Sequence, residues 1–193
     1  MDGGAEGRIT APENFSYFFA GYSNVRSITF NDALDTSHTT NMSNLFYCCT
    51  LLSDLDVGSF DTSNVTDMSW MFSTCQQLWT LKLNNFDTSN VTNMSGMFSA
   101  CQNLSTLDVN SFDTSNVTNM NDMFFRLSTL QNLDLQHFDT SKVTDMGWMF
   151  SECGKLWRLK VGTWETDSVT NYEFFFFPDR EIEDQRWQDW FEN

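Results

Sequence analysis

A single period governs the whole chain. The stretch Leu52–Cys75, LSDLDVGSFDTSNVTDMSWMFSTC, returns at a step of 26 residues. Phe60-Asp61-Thr62-Ser63 becomes Phe86-Asp87-Thr88-Ser89, then Phe112-Asp113-Thr114-Ser115, then Phe138-Asp139-Thr140-Ser141. Weaker copies stand outside these, at Leu34-Asp35-Thr36-Ser37 and Trp164-Glu165-Thr166-Asp167. The same step carries Met68 to Met94, Met120 and Met146, and Phe72 to Phe98, Phe124 and Phe150. A fixed period of this size marks a solenoid, in which each unit buries its apolar face only by stacking on its neighbours.

Each unit divides into segments with their own patterns. L-x-x-L-x-[LV], as in Leu78, Leu81, Leu83 or Leu130, Leu133, Leu135, ends in the apolar–polar–apolar alternation of a strand. F-D-T-S reads as an apolar anchor followed by a polar corner, where Asp and Ser side chains accept backbone hydrogen bonds. A short extended piece, V-T-x-M, follows with Val65 and Met68 inward. Met68, Met71, Phe72 and Cys75 then fall at 0, 3, 4 and 7, the spacing of one helix face about two turns long. The expectation is about six 26-residue coils, each of short parallel strand, corner and short helix, an α/β repeat solenoid with aromatic-rich terminal caps.

The ends depart from the consensus. Residues 1–12 read as a flexible lead or linker, and residues 13–177 as the solenoid with its amino-terminal cap. Phe18-Phe19 aligns with Met71-Phe72, Tyr22 with the cysteine column, and Val25, Ile28 and Phe30 with Leu52, Leu55 and Val57. At the other end Trp164, Tyr172 and Phe174–Phe177 replace consensus residues, and Pro178 stops the pattern. Residues 178–193 read as a capping helix: Asp179 stands at its start, and Ile182, Arg186, Trp187, Trp190 and Phe191 share one face. A lid over the last coil is expected; a partner-binding amphipathic helix is the alternative.

Composition narrows the function. Twenty-six acidic against ten basic residues give a net charge of −16, which repels phosphate backbones and anionic bilayers. Nucleic-acid binding is therefore not expected; solubility explains the charge, and a cation-rich partner is the alternative. No run approaches the ~18–20 apolar residues of a membrane span, so no membrane insertion is expected of this segment. The opening MDGGAEGR has no apolar signal region, which leaves an intracellular protein or a piece excised from a larger surface protein. Cys49, Cys75, Cys101 and Cys153 share a column in which Leu127 fills the missing place, so buried thiols are expected; a disulfide between stacked thiols stays open. No Cys-x-x-Cys pair suggests zinc.

The motif F-D-T-S-N-V-T-x-M-x-x-M-F-x-x-C-x-x-L-x-x-L-D-[VL] resembles the BspA-like leucine-rich-repeat family, also known as the mycoplasma-type repeat of unknown function. The resemblance covers roughly residues 14–177, and its L-x-x-L-x-L segment is similar to a leucine-rich-repeat strand. It implies a right-handed solenoid with parallel strands on one face. It also implies an adhesion or protein-interaction module, within larger surface or exported proteins of bacteria and some protists. Leu127 for Cys, and Trp164-Glu165 for Phe-Asp, depart from the pattern.

Catalysis is not expected. His38 and His137 have no repeat partner that would supply a nucleophile or a carboxylate, and no phosphate loop is present. Thr36, 62, 88, 114, 140 and 166, and Thr40, 66, 92, 118, 144 and 170, form two ladders that suit corner hydrogen bonding or, alternatively, ordered water and ice. The column Asp35, 61, 87, 113 and 139 with Glu165 suits Asx corners or, alternatively, calcium. Neither a resident metal nor a cofactor is expected. Seven N-x-S/T sequons recur because the repeat does.

Variable columns carry the functional signal. WMFSTCQQLWTLKL at 70–83 and WMFSECGKLWRLKV at 148–161 are near copies three repeats apart. Trp70, Trp79 and Lys82 in one, and Trp148, Trp157, Arg158 and Lys160 in the other, have the composition of an interface anchor. The alternative is that the indoles lie flat on neighbouring residues. The expected role is a non-catalytic recognition or adhesion module with a protein ligand, such as a host or matrix protein. It would act as a monomer, at the cell surface or secreted as part of a larger protein. An intracellular scaffold or structural spacer is the alternative.

Overall fold

The computed structural model describes residues 7–30 and 32–176. Successive repeats lie against one another at the period of the sequence. Parallel backbone bridges join Asn14 to Asn41, Asn41 to Asp67, and so on through Asn93, Asn119 and Asp145 to Asn171. Short parallel strands pair at the same step: β1 (Ile9–Thr10) with β3 (Leu34–Asp35), β2 (Ser27–Thr29) with β4 (Asp54–Asp56), and β5 (Asn132–Leu135) with β6 (Arg158–Val161). Ile28 faces Leu55 across β2 and β4, the register that aligning the degenerate first repeat predicts.

The core is one file of side chains from each repeat. Phe60, Val65, Met68, Met71, Phe72, Cys75, Leu78, Leu81 and Leu83 are all buried, as are most of their equivalents. At its centre runs a stack of phenylalanine rings. Phe19, Phe46, Phe72, Phe98, Phe124, Phe150 and Phe176 follow one another at centroid separations of 5.4, 5.8, 6.0, 6.0, 5.6 and 5.5 Å, nearly parallel throughout. Each offset contact adds about 0.5–1.5 kcal/mol to what ring burial supplies.

The short helix expected from Met68 to Cys75 is not there. Among the described residues no repeat contains a helix; this segment is a run of tight turns. Amides of Met68, Trp70, Phe72 and Thr74 donate forward to the carbonyls of Asn93, Ser95, Met97 and Ser99 in the next repeat. The intervening amides of Met71, Ser73 and Cys75 donate back to Met68, Trp70 and Phe72. A helix would send every amide to the residue four before it. Here half of the donors tie repeats together instead. The geometry needs a left-handed residue every fourth position, met by Trp70 (φ 57°) and Thr74 (φ 62°), and by Asp122 and Arg126 two repeats on. Each such non-glycine residue costs about 1–2 kcal/mol, which the inter-repeat hydrogen bonds and ring stack offset. Met68, Met71, Phe72 and Cys75 still point inward, because a turn advancing four residues at a time meets the same 0, 3, 4, 7 spacing.

The corner is held by threonine. Thr62 Oγ1 donates to the Asp87 carbonyl at 2.9 Å and accepts the Asp87 amide at 2.8 Å. Thr36, Thr88 and Thr114 do the same to Asp61, Asp113 and Asp139. The helix expected over 178–193 lies outside the described residues, as do residues 1–6 of the expected lead.

Candidate functional site: the tryptophan-bearing strand face

The seven residues singled out from the sequence divide between two places. Trp70 and Trp148 belong to the turn segment, both in the left-handed conformation, and both are half-buried. Trp70 lies flat on the next repeat: a Cβ added at Gly96 would come within 2.4 Å of its ring. Gly96 is itself left-handed (φ 60°), so the position needs glycine for backbone and space alike. Trp148 packs on Phe174 at 4.4 Å and edge-on to Phe125 at 6.1 Å. These two indoles fasten one repeat to the next.

Trp79 and Trp157 behave differently. They stand at the start of the strand segment, 65% and 67% exposed. Between them in the same column are Ser105 and Gln131, tied in by Ser105 N–H to Trp79 O and Trp157 N–H to Gln131 O. Three repeats at ~4.8 Å each put the two indoles about 14 Å apart. Three residues further along each segment run Lys82, Asp108, Asp134 and Lys160, all on the polar side of the alternation. Lys160 Nζ pairs with Asp134 Oδ2 at 2.6 Å, while Lys82 and Arg158 enter no ion pair among the described residues. The bonds from Lys160 and from the Gln136 amide hold Asp134 below the usual carboxylate range.

An open groove of about 480 Å³ indents this face between Leu107–Asn110 and Asn132–Asp134, with Arg158 and Lys160 at its far wall. It lies where strand pairing lapses: β5 pairs with β6, but the segment at 106–109 has no strand partner among the described residues. The apolar positions continue through the lapse, with Leu104 and Val109 buried and Leu107 half-buried.

Columns that invited other chemistry are structural. Thr36, Thr62, Thr88, Thr114 and Thr140 of the first threonine ladder are buried and spent on corner bonds. Thr66, Thr92, Thr118, Thr144 and Thr170 are exposed, but each donates its hydroxyl to the threonine carbonyl one repeat before, at 3.0–3.3 Å. The Asp column forms Asx turns: Asp61, Asp87, Asp113 and Asp139 accept the Ser63, Ser89, Ser115 and Ser141 amides at 2.9–3.0 Å. Hydroxyl and amide of Ser89 together hold Asp87 below its ordinary range. No group of three potential metal ligands occurs among the described residues. Cys49, Cys75 and Cys101 are buried, and with Cys153 their thiols donate to the Phe carbonyl of the preceding repeat at 3.0–3.1 Å. Burial pushes Cys101 and Cys153 up to about 12, so these thiols are inert at neutral pH.

Two roles were not assigned from the sequence. His137 bonds the Val109 carbonyl at 2.9 Å, closing a backbone group of the preceding strand segment; Asn85 and Ser111 serve Val57 and Leu83 likewise. That shared column was the available clue. Asp122 is a left-handed turn residue, pushed up to about 6 by burial and then by Asp145. Finally, no described helix is long and apolar enough to cross a membrane.

This geometry defines a protein of stacked, hydrogen-bonded 26-residue repeats. A family model described as "Mycoplasma protein of unknown function, DUF285" matches residues 13–107 and again 76–190. The chain belongs to that mycoplasma-type repeat family. No curated protein and no solved structure matches it.

Proposed function

We propose that the chain is a BspA-like, leucine-rich-repeat-type solenoid serving as a non-catalytic recognition or adhesion module, carried at the cell surface or secreted within a larger protein. Its contact face is the strand segment bearing Trp79 and Trp157. One observation supports this above the rest: two indoles about two-thirds exposed share one column, when Trp70, Trp148 and Trp164 are buried or half-buried. Large exposed aromatics flanked by Lys82, Arg158 and Lys160 have the make-up of interface hot spots, where truncation costs about 2 kcal/mol or more. Trp70 and Trp148, already occupied by Gly96 and Phe174, support the repeat stack rather than the ligand.

The test is a binding screen against extracellular-matrix and host-surface proteins, with the parent chain beside Trp79→Ser/Trp157→Ser. A ligand bound by the parent and lost at least tenfold by the folded variant supports the reading. A ligand bound equally by both moves the contact elsewhere, and the absence of any ligand favours a spacer.

A further inference from the structure

Within the stack, the strand face carries a gap that is tied at both ends. At one end Thr129 Oγ1 donates to the Gln102 carbonyl at 2.8 Å; at the other His137 Nε2 bonds the Val109 carbonyl at 2.9 Å. Behind it the Phe98 and Phe124 rings stack at 6.0 Å. Between these ties, residues 106–109 and β5 exchange no backbone hydrogen bond. A strand turns the N–H and C=O of successive residues to opposite neighbours. The Arg158 amide donates to Gln131 O, so Leu133 and Leu135 face β6, while Asn132 and Asp134 face the gap. The backbone N–H and C=O of Asn132 and Asp134, and of Leu107 across from them, have no partner among the described residues.

We infer that this gap is a docking site for an extended segment of the partner protein, added as a strand and carrying an acidic and a basic side chain two residues apart. It rests on the recognition reading of this face. Strand addition takes its affinity from main-chain bonds and its specificity from alternate side chains, and both are laid out here. Lys160 is neutralised by Asp134. The charges left without an ion pair at the groove, among the described residues, are the Arg158 guanidinium and the Asp108 carboxylate. Asp108 is bonded to its own turn, through the Asn110 amide at 3.0 Å. Arg158 is level with Asn132 in the register, and so with Thr106 one repeat before; Asp108 stands two residues further along. That offset of about 6.8 Å is the spacing of alternate side chains in an extended chain. Arg grips a carboxylate through two parallel N–H bonds, and Asp108 takes the cation. A segment carrying both is neutral, so the net charge of −16 does not repel it, whereas it opposes a second copy of this chain. The groove's volume of about 480 Å³ falls within the roughly 300–1,000 Å³ of ligand sites.

The experiment titrates the end-blocked peptides Thr-Asp-Val-Lys-Thr and Thr-Lys-Val-Asp-Thr into the ¹⁵N-labelled full chain, so that both strand directions are sampled. Saturable binding of one peptide per chain is expected for one order, with amide shifts at Leu107, Asn132 and Asp134. Arg158→Gln and Asp108→Asn, both at exposed positions, should each weaken it at least tenfold. The uncharged Thr-Asn-Val-Gln-Thr should bind as weakly. Methylating the valine amide of the peptide should cause a similar loss, which charge attraction alone does not predict. Trp79→Ser should bind as the parent does. Saturable binding by neither order, or binding indifferent to both Arg158→Gln and the methyl group, would overturn the inference. So would dimers in sedimentation that Arg158→Gln dissolves, since a second copy would then own the groove. A matrix or host-surface ligand still lost by Trp79→Ser/Trp157→Ser would, beside any of those results, leave the recognition reading standing while the groove falls.

Discussion

The two walls of each repeat are built to different standards. In the turn wall every amide from Met68 to Cys75 has a partner, alternately in the next repeat and in the turn itself. The rings of Phe46 to Phe150 stack beneath it without a gap. In the strand wall, backbone pairing forms between β2 and β4 and between β5 and β6, and lapses at 80–83 and 106–109, beyond the Ser105 N–H to Trp79 O bond. Yet the strand wall carries the exposed indoles, unpaired cations and groove. Cohesion is concentrated in one wall, which leaves the other free to vary its outward side chains without disturbing the stack.

That contrast is easiest to break from the inside. Phe98→Ala removes a fully buried ring from mid-stack and should cost about 3–5 kcal/mol, read as a lower urea midpoint. Next comes the corner. Thr88→Val strands both the amide and the carbonyl of Asp113 and should cost about 1–3 kcal/mol. Thr92→Val, on the exposed ladder, should cost less than half as much by the same denaturation assay.

A smaller effect of opposite sign is expected at Asp122. Its folded pKa, about 6, lies above the unfolded carboxyl range, so its contribution is complete below about pH 4. It is lost as the pH rises through 6. Asp122→Asn removes a charge held near Asp145 and keeps a residue tolerant of the left-handed backbone. Thermal melts should show it a few degrees more stable at pH 7.5, with no gain at pH 4. Smallest of all is Trp79→Ser on the strand wall, expected within about 0.5 kcal/mol of the parent. A loss of 2 kcal/mol there would show the indole to be part of the stack.

Much of this was legible in the sequence, and the failure is instructive. The period fixed which residues meet: Ile28 with Leu55, Phe72 with Phe98, Thr62 with the Asp87 corner. Inward columns followed from the same alignment, including the thiols and Leu127. The helix did not follow, because Met68, Met71, Phe72 and Cys75 face inward equally from two helical turns or from left-handed turns four apart. Periodicity reports which side chains share a face; it is silent on whether a backbone amide bonds within its repeat or across to the next. The tryptophan columns left two readings open for a related reason. Trp70 and Trp79 are both outside the apolar core pattern, and only the Gly96 opposite Trp70 separates a packed indole from a free one. Gly96 was visible as a variable residue, but its left-handed backbone was not.

Hydrogen exchange resolved residue by residue tests the difference between the walls most directly. Amides of Met94, Gly96, Phe98 and Ala100 donate across the repeat interface at 2.7–3.1 Å, and should exchange only through global unfolding. Those of residues 106–109 should exchange through local opening, faster by at least a hundredfold. Equal protection of the two sets, or a run of unbroken helical protection from Met94 to Cys101, would contradict the account.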